Sequence, residues 1–177
     1  MGKRSTGFKL APNWFYKTPP EAIPALLPHL ECHSFAEPCA GDGALVDLLE
    51  AEGFVCSWQS DIAPQRIDIL EADALELTEP LSNADCIITN PVWDRTKKSD
   101  FLLHKLIEHF RVLNTTWLLF DADWMHTKQS SEMMQYCSKV VSIGRLKWIP
   151  GSKSVGKDNC CWFQFQKHKV ETVFYGR

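Results

Sequence analysis

Residues 34–53, SFAEPCAGDGALVDLLEAEG, join an apolar segment, a turn with two glycines and a segment with helical periodicity. Residues 34–38 favour a strand that ends at this turn. Residues 44–52 place three leucines on one helical face, and Gly53 ends the helix. Gly41 and Gly43 permit a sharp turn because glycine has no Cβ and tolerates a left-handed backbone. A strand followed at once by a helix predicts a parallel sheet covered by helices.

The rest of the 177-residue chain continues this alternation without a repeat or a linker. Thr18-Pro19-Pro20-Glu21 has the residues of a helix start: a hydroxyl cap, an early proline and an acid three residues after the cap. Periodicity predicts strands at 54–58, 85–89, 116–121, 140–143 and 161–166, and helices at 18–30, 101–113 and 125–137. Pro24 and Pro28 would disturb the first of these helices. With 45% hydrophobic residues, we expect one α/β domain, residues 1–177, with a mostly parallel sheet and helices on both faces.

Cysteine content and hydropathy indicate the cellular compartment. The seven cysteines are an odd number without a Cys-x-x-Cys pair, which favours a reducing environment and no metal site. No apolar run reaches the roughly 20 residues that a membrane helix requires. The N-terminal MGKRSTGFKL lacks the apolar segment of a signal peptide. We therefore expect a cytoplasmic protein with no membrane contact and no bound metal.

The charge is unevenly distributed although the net charge is only −3. Residues 1–20 carry a charge of +4, residues 21–138 carry −13, and residues 139–177 carry +6. Two basic ends would form one positive face for nucleic acid if they converge in the fold. Ordinary scatter of surface charge explains the same numbers equally well.

Acidic residues follow successive predicted strands, where open α/β sheets bind their ligands. Glu37-Pro38-Cys39-Ala40-Gly41-Asp42-Gly43 follows the first strand, and the two glycines would let the backbone approach a ligand closely. A dinucleotide site favours a third glycine, but Val46 stands at that position. Asp61 follows the second strand and is placed to bind ribose hydroxyls. Asp73, next to Ala74, is placed to accept from an adenine amino group.

Asn90-Pro91-Val92-Trp93 follows an apolar strand and is the candidate segment for binding and activating an acceptor amine. An exocyclic amine of adenine or cytosine is a poor nucleophile because its lone pair is delocalised into the ring. The Asn90 side-chain oxygen and the Pro91 carbonyl would accept both N–H groups and localise that pair. Trp93 would stack on the base after its rotation out of the helix. Positioning and charge stabilisation would then carry most of the rate enhancement.

These residues, in this order, resemble the class I S-adenosylmethionine-dependent amino-methyltransferases, in particular the small adenine-N6 DNA methyltransferase-like proteins of phages and prophages. Tyr16-Lys17-Thr18-Pro19 resembles the family's N-terminal donor-binding segment, which residues 1–18 would form. Residues 37–43 resemble its glycine-rich donor loop, and Asp61 and Asp73 resemble its ribose and adenine acids. Asn90-Pro91-Val92-Trp93 resembles its catalytic tetrapeptide. The resemblance implies a Rossmann-like methyltransferase fold with seven strands, the last antiparallel, S-adenosylmethionine as cofactor, and a bacterial or phage-infected cell.

Two departures from the family bear on the substrate. Val92 replaces the usual proline and loosens the tetrapeptide. A complete sheet also uses nearly all 177 residues, so specificity would come from loops, be low, or come from a partner protein. The loop 147–159 is the substrate-loop candidate, with phosphate contacts or base stacking from Lys147, Trp148, Lys153 and Lys157; a solvated polar loop is the alternative. Trp124 and His126 follow another strand and would border the substrate pocket.

Adenine N6 of DNA is the first substrate hypothesis. Cytosine N4, RNA adenine and a protein glutamine are alternatives, because related enzymes use the same tetrapeptide on all of them. A catalytically inert donor-binding module is a further alternative that Val92 supports. An oxidoreductase is disfavoured by the missing third glycine.

Overall fold

The computed structural model describes residues 16–94, 101–149, 151 and 154–177. Within these residues eight strands form one sheet. The strands are β1 (Ser34–Glu37), β2 (Val55–Asp61), β3 (Leu70–Glu71), β4 (Cys86–Thr89), β5 (Thr116–Asp121), β6 (Cys137–Arg145), β7 (Asn159–Phe165) and β8 (Val173–Tyr175). The α-helices are α1 (Ile23–Leu26), α2 (Ala44–Ala51), α3 (Glu79–Ser82) and α4 (Leu102–Leu113).

The strands lie in the order β3-β2-β1-β4-β5-β7-β6-β8. Only β7 is antiparallel to its neighbours, β5 and β6, and all other pairings are parallel. The mostly parallel α/β class is confirmed. The expected count of seven strands is wrong, because the short strand β8 adds an eighth beside β6. Its Val173 and Phe174 are exposed, so it lacks the alternating burial that reveals a strand in a sequence.

Helices cover both faces of the sheet with separate apolar clusters. On one face, α1 and α2 pack on the sheet through Leu26, Leu45 and Leu49, which are all buried. On the other face, α4 contributes buried Leu106 and Phe110. In the part of the chain that the structure describes, no helix has the length and hydrophobicity needed to cross a membrane.

Two predicted helices differ from the structure. The predicted helix 18–30 is split into 3-10 turns Pro20–Ala22 and Leu27–His29 around the single turn of α1. Internal prolines remove backbone donors and break the continuous helix. The residue that caps the first 3-10 turn is Pro19 and not Thr18, and no side chain makes a capping hydrogen bond there.

The predicted helix 125–137 is replaced by three 3-10 segments, Ala122–His126, Lys128–Ser130 and Met133–Tyr136. The hydroxyl of Ser130 donates to the carbonyls of Met125 and Thr127, and the hydroxyl of Thr127 donates to the carbonyl of Trp124. These side-chain bonds occupy backbone acceptors that a continuous helix would use.

Candidate functional site

The carboxyl ends of the parallel strands bring the predicted motifs to one edge of the sheet. The turn Gly41–Gly43 follows β1, Asp61 ends β2, and Asn90 follows β4. Because β6 also runs parallel to β5, the loop that connects β6 to β7 lies at this edge too. The topology therefore places the candidate donor loop, tetrapeptide and substrate loop on one side of the molecule.

The glycine turn is held by the next strand. Gly41 and Gly43 have φ values of 58° and 77°, in the left-handed region that glycine tolerates. The Gly41 amide donates to Asp61 Oδ2 over 2.9 Å, and the Ala63 amide donates to Asp61 Oδ1 over 2.8 Å. Asp61, the predicted ribose acid, thus orients the candidate donor loop, while each of its carboxylate oxygens retains a second lone pair for another hydrogen-bond donor.

Gly43 makes room for a side chain of the protein itself. A Cβ at Gly43 would overlap the guanidinium of Arg66, which lies directly over this glycine. Arg66 is held there by ion pairs with Asp47 and Asp68, both 2.7 Å long. The expectation that the missing Cβ at Gly43 admits a ligand is therefore corrected: the space is filled by Arg66.

Two buried polar atoms lie at the strand ends: Glu37 Oε2 has no hydrogen-bond partner among the described residues, and Thr89 Oγ1 has only the thiol of Cys39 beside it. Glu37 is 1% exposed, and burial raises the pKa of its carboxyl well above the ordinary range, helped by the charges of Asp61 and Asp42. Burial and the charge of Asp61 likewise raise the pKa of the Cys39 thiol. The sequence motif around Asn90 begins at Thr89, but no role was predicted for this threonine, because a hydroxyl at a strand end has no chemical signature of its own.

The remaining predicted donor-site residues line the same edge. Pro38 is buried beside Glu37, and Ala74 is buried after β3. Asp73 is exposed, and its Oδ1 accepts from the Leu75 amide over 2.9 Å. It caps its own turn and leaves a second carboxylate oxygen toward solvent.

Asn90 is fixed by the N-terminal segment and by the tetrapeptide. Its Nδ2 donates to the carbonyl of Tyr16 and to Thr18 Oγ1, each over 3.2 Å. Its Oδ1 accepts from Trp93 Nε1 over 3.2 Å. A carbonyl only accepts and an indole N–H only donates, so the Tyr16 carbonyl must face Asn90 Nδ2 and the Trp93 indole must face Asn90 Oδ1. Oδ1 keeps one lone pair for an incoming N–H donor.

Trp93 is held in place instead of standing free. Its Nε1 also donates to the carbonyl of Leu119 over 3.0 Å. Its ring meets the edge of Trp148 at 5.1 Å between centroids, and Trp148 meets Tyr16 at 6.2 Å. Trp148 therefore joins the candidate substrate loop to the tetrapeptide, as the edge placement of that loop predicts. Pro91, the next residue of the tetrapeptide, is buried.

Residues 16–18 connect the tetrapeptide to the donor loop. Thr18, which is 5% exposed, contacts Asn90 as described, and Lys17 Nζ lies 3.2 Å from Asp42 Oδ2 in the glycine turn. Residues 1–15 of the predicted donor-binding segment lie outside the described residues. The described part of this segment links the two motifs that the sequence predicts to share a pocket.

Several predicted substrate contacts have different surroundings. Trp124 is fully buried among Phe120, Phe163 and Phe165, and its Nε1 contacts His104 Nε2 at 3.0 Å. Its prediction as a substrate contact is wrong, because the core covers the whole ring. His126, Lys147 and Lys157 are exposed, whereas Lys153 lies outside the described residues.

The described residues contain no group of three or more side chains suited to hold a metal.

The chain is similar to known proteins in its fold and not in its sequence. No protein-family model matches the chain, and no curated protein matches its sequence. A candidate class I S-adenosylmethionine-dependent methyltransferase from Listeria monocytogenes matches 89% of this chain with a TM-score of 0.54 and 11% identity. The chain spans 62% of that protein's length.

Two further structures match over most of both chains. A candidate RNA methyltransferase from Pyrococcus horikoshii has a TM-score of 0.55 and 20% identity over 92% of this chain and 93% of its own. A candidate hemolysin from Lactococcus lactis has a TM-score of 0.56 and 9% identity over 89% of this chain and 91% of its own. The chain therefore has the Rossmann-like fold of class I methyltransferases, a fold that also occurs in a protein described by a different activity.

Proposed function

We propose that this protein transfers a methyl group from S-adenosylmethionine to an exocyclic amino group, with adenine N6 of DNA as the substrate. One observation carries the proposal: Asn90 presents its side-chain oxygen at the carboxyl edge, held by a segment that also binds the glycine turn. A plain Asn-Pro turn needs none of these contacts. They place the candidate amine acceptor and the candidate donor loop within one connected group of residues.

The residues at this edge fit the proposed cofactor. S-adenosylmethionine supplies an activated methyl group on a positively charged sulfonium when it is bound. Asp42, Asp61 and Asp73 give the edge the acidic character that suits a cation. The unpartnered Glu37 Oε2 and the nearby Thr89 Oγ1 provide buried polar atoms for the amino and hydroxyl groups of such a ligand. In this assignment residues 37–43 hold the methionine part, Asp61 the ribose and Asp73 the adenine.

The tetrapeptide supplies the acceptor chemistry. Asn90 Oδ1 and the Pro91 carbonyl accept the two N–H groups of the substrate amine and localise its lone pair for attack on the methyl carbon. When bound, S-adenosylmethionine would supply the methyl group and leave as the neutral thioether, and the proton lost by the substrate amine would pass to solvent. Trp93 and Trp148 provide aromatic surface beside the amine, suited to a base outside its stack. Val92 packs against the apolar core, which stabilises the turn without the usual proline.

A nucleic acid is proposed over a protein glutamine because of the candidate substrate loop, whose phosphate contacts DNA and RNA would share. Lys147 and Lys157 are exposed at the carboxyl edge and would contact phosphates, while Trp148 lies next to Trp93. Because this loop offers few side chains for base edges, a partner protein that selects the target sequence is part of the proposal.

The test is transfer of labelled methyl from S-adenosylmethionine to separate pools of DNA, RNA and protein, followed by identification of the methylated residue. N6-methyladenine in DNA supports the proposal. Label only in protein would favour glutamine methylation, and donor binding without any transfer would favour an inert module. Transfer to random-sequence DNA without added protein would remove the need for a partner.

Three variants assign the residues. Asn90→Ala should abolish transfer and leave donor affinity nearly unchanged in calorimetry, whereas Asp61→Ala should weaken donor binding. Asn83→Ala, an exposed position at the opposite end of β4, is the matched control and should change neither property. Wild-type transfer by Asn90→Ala would remove Asn90 from the chemistry.

A further inference from the structure

Two cysteines meet at the edge of the sheet opposite the candidate site. Cys86 is the first residue of β4 and is 2% exposed, and Cys32 is half-buried just before β1. Their Sγ atoms lie 2.6 Å apart. This separation approaches the ~2.05 Å length of a disulfide bond and is much shorter than an ordinary contact between sulfur atoms.

Hydrogen bonds fix the two backbone segments that carry these cysteines. Asp85 Oδ2 accepts from the amides of His33 and Ser34 over 2.9 and 2.8 Å. In return, the Asp85 amide donates to Ser34 Oγ over 3.2 Å. His33 and Ser34 lie one and two positions after Cys32, and Asp85 directly precedes Cys86. The proximity of the sulfur atoms is therefore built into the junction of β1 and β4.

The two thiols differ in their chemistry. The Cys86 thiol donates to Cys32 Sγ, which lowers the pKa of Cys32, while burial and the charge of Asp85 oppose that shift. The same bond, together with burial, raises the pKa of Cys86. The other five cysteines, all within the described residues, have raised pKa values, mainly because of burial. Among the seven cysteines, Cys32 is therefore the one whose environment lowers the thiol pKa, which favours its thiolate form.

We propose that Cys32 and Cys86 form a site of reversible oxidation, at which a peroxide converts the two thiols into an intramolecular disulfide. The Cys32 thiolate attacks one peroxide oxygen, the O–O bond breaks, and Cys32 becomes a sulfenic acid with release of water or an alcohol. Cys86 sulfur then attacks Cys32 sulfur, and its proton leaves with the hydroxyl as water. Two thiols are oxidised by two electrons and the peroxide is reduced by two. The site stays reduced in a reducing compartment until a peroxide is present.

The experiment treats the folded full-length protein with increasing hydrogen peroxide, blocks the remaining thiols with iodoacetamide, and maps peptides after chymotrypsin digestion. Cleavage after Phe35 separates Cys32 from Cys39, so the cross-linked pair can be assigned. We expect a peptide with Cys32 joined to the peptide with Cys86, and its loss after treatment with dithiothreitol. The oxidised protein should also unfold at a temperature higher by roughly 10 °C, because the bond closes a loop of about 55 residues.

Two variants complete the test. Cys32→Ser should form no cross-link and show no peroxide-dependent rise in unfolding temperature. Cys56→Ser, which removes a half-buried thiol that bonds only to the carbonyl of Trp58 in the described contacts, should behave as wild type. Oxidation of Cys32 to sulfinic acid without cross-linking, or a cross-link from Cys39, would overturn the proposal. The result does not depend on the proposed methyl transfer.

Discussion

Replacing Gly43 with alanine tests whether this glycine accommodates Arg66. Its φ of 77° costs alanine about 1–2 kcal/mol relative to glycine. The added Cβ would also displace the Arg66 guanidinium, which is the flexible end of its side chain. Displacement breaks ion pairs with Asp47 and Asp68, whose side chains are 61% and 52% exposed, and pairs this exposed contribute at most about 1 kcal/mol each. We expect a total destabilisation of roughly 2–3 kcal/mol, most of it from the backbone.

A double-mutant cycle separates the two contributions. The free energy of unfolding in urea, followed by tryptophan fluorescence, is measured for Gly43→Ala, Arg66→Ala and the combined variant. In the Arg66→Ala background the cost of Gly43→Ala should fall to about 1–2 kcal/mol, the backbone part alone. Gly53→Ala is the matched control, because its φ is 93° and a Cβ there would meet no atom within 4 Å. Zero coupling in the cycle, with Gly43→Ala no worse than Gly53→Ala, would refute the role of Arg66.

Three further predictions concern the site. Thr18→Val removes one acceptor from Asn90 and should slow single-turnover transfer by roughly 3–10-fold with unchanged donor affinity, whereas Thr18→Ser should retain the wild-type rate. A weaker donor affinity in calorimetry would instead assign Thr18 to donor binding. Because the pKa of Glu37 is raised in the folded state, its contribution to stability falls as pH rises above its ordinary value of 4.5. Glu37→Gln should therefore gain stability relative to wild type by up to about 1.4 kcal/mol per pH unit in urea unfolding at increasing pH, and parallel curves would contradict the raised pKa. Trp148→Ala removes the ring contact with Trp93 and should raise KM for the acceptor by roughly 3–10-fold, with Trp148→Phe intermediate; an unchanged KM would place the loop outside the acceptor site.

The local pattern of the sequence was sufficient for the elements that depend on neighbours along the chain. The strand 116–121 agrees with the structure to the residue, and the helices after Gly43 and Phe101 agree to within one residue. Such elements repeat every two or 3.6 residues, so a short window contains the signal. The same window failed for 125–137, where hydroxyl groups compete for backbone carbonyls, and for β8, where burial does not alternate.

Short stretches of consecutive residues are enough to predict the α/β class and the position of the acids and Asn90 after strands, because strand ends and glycine turns are local properties of the chain. The contacts that those side chains make depend on the three-dimensional fold. Asn90 binds Thr18 from 72 residues away, Arg66 covers Gly43, Trp124 enters the core, and Cys32 meets Cys86 across 54 residues. These pairings depend on the order of strands in the sheet, and strand order is set by burial of the whole core, which no local pattern encodes.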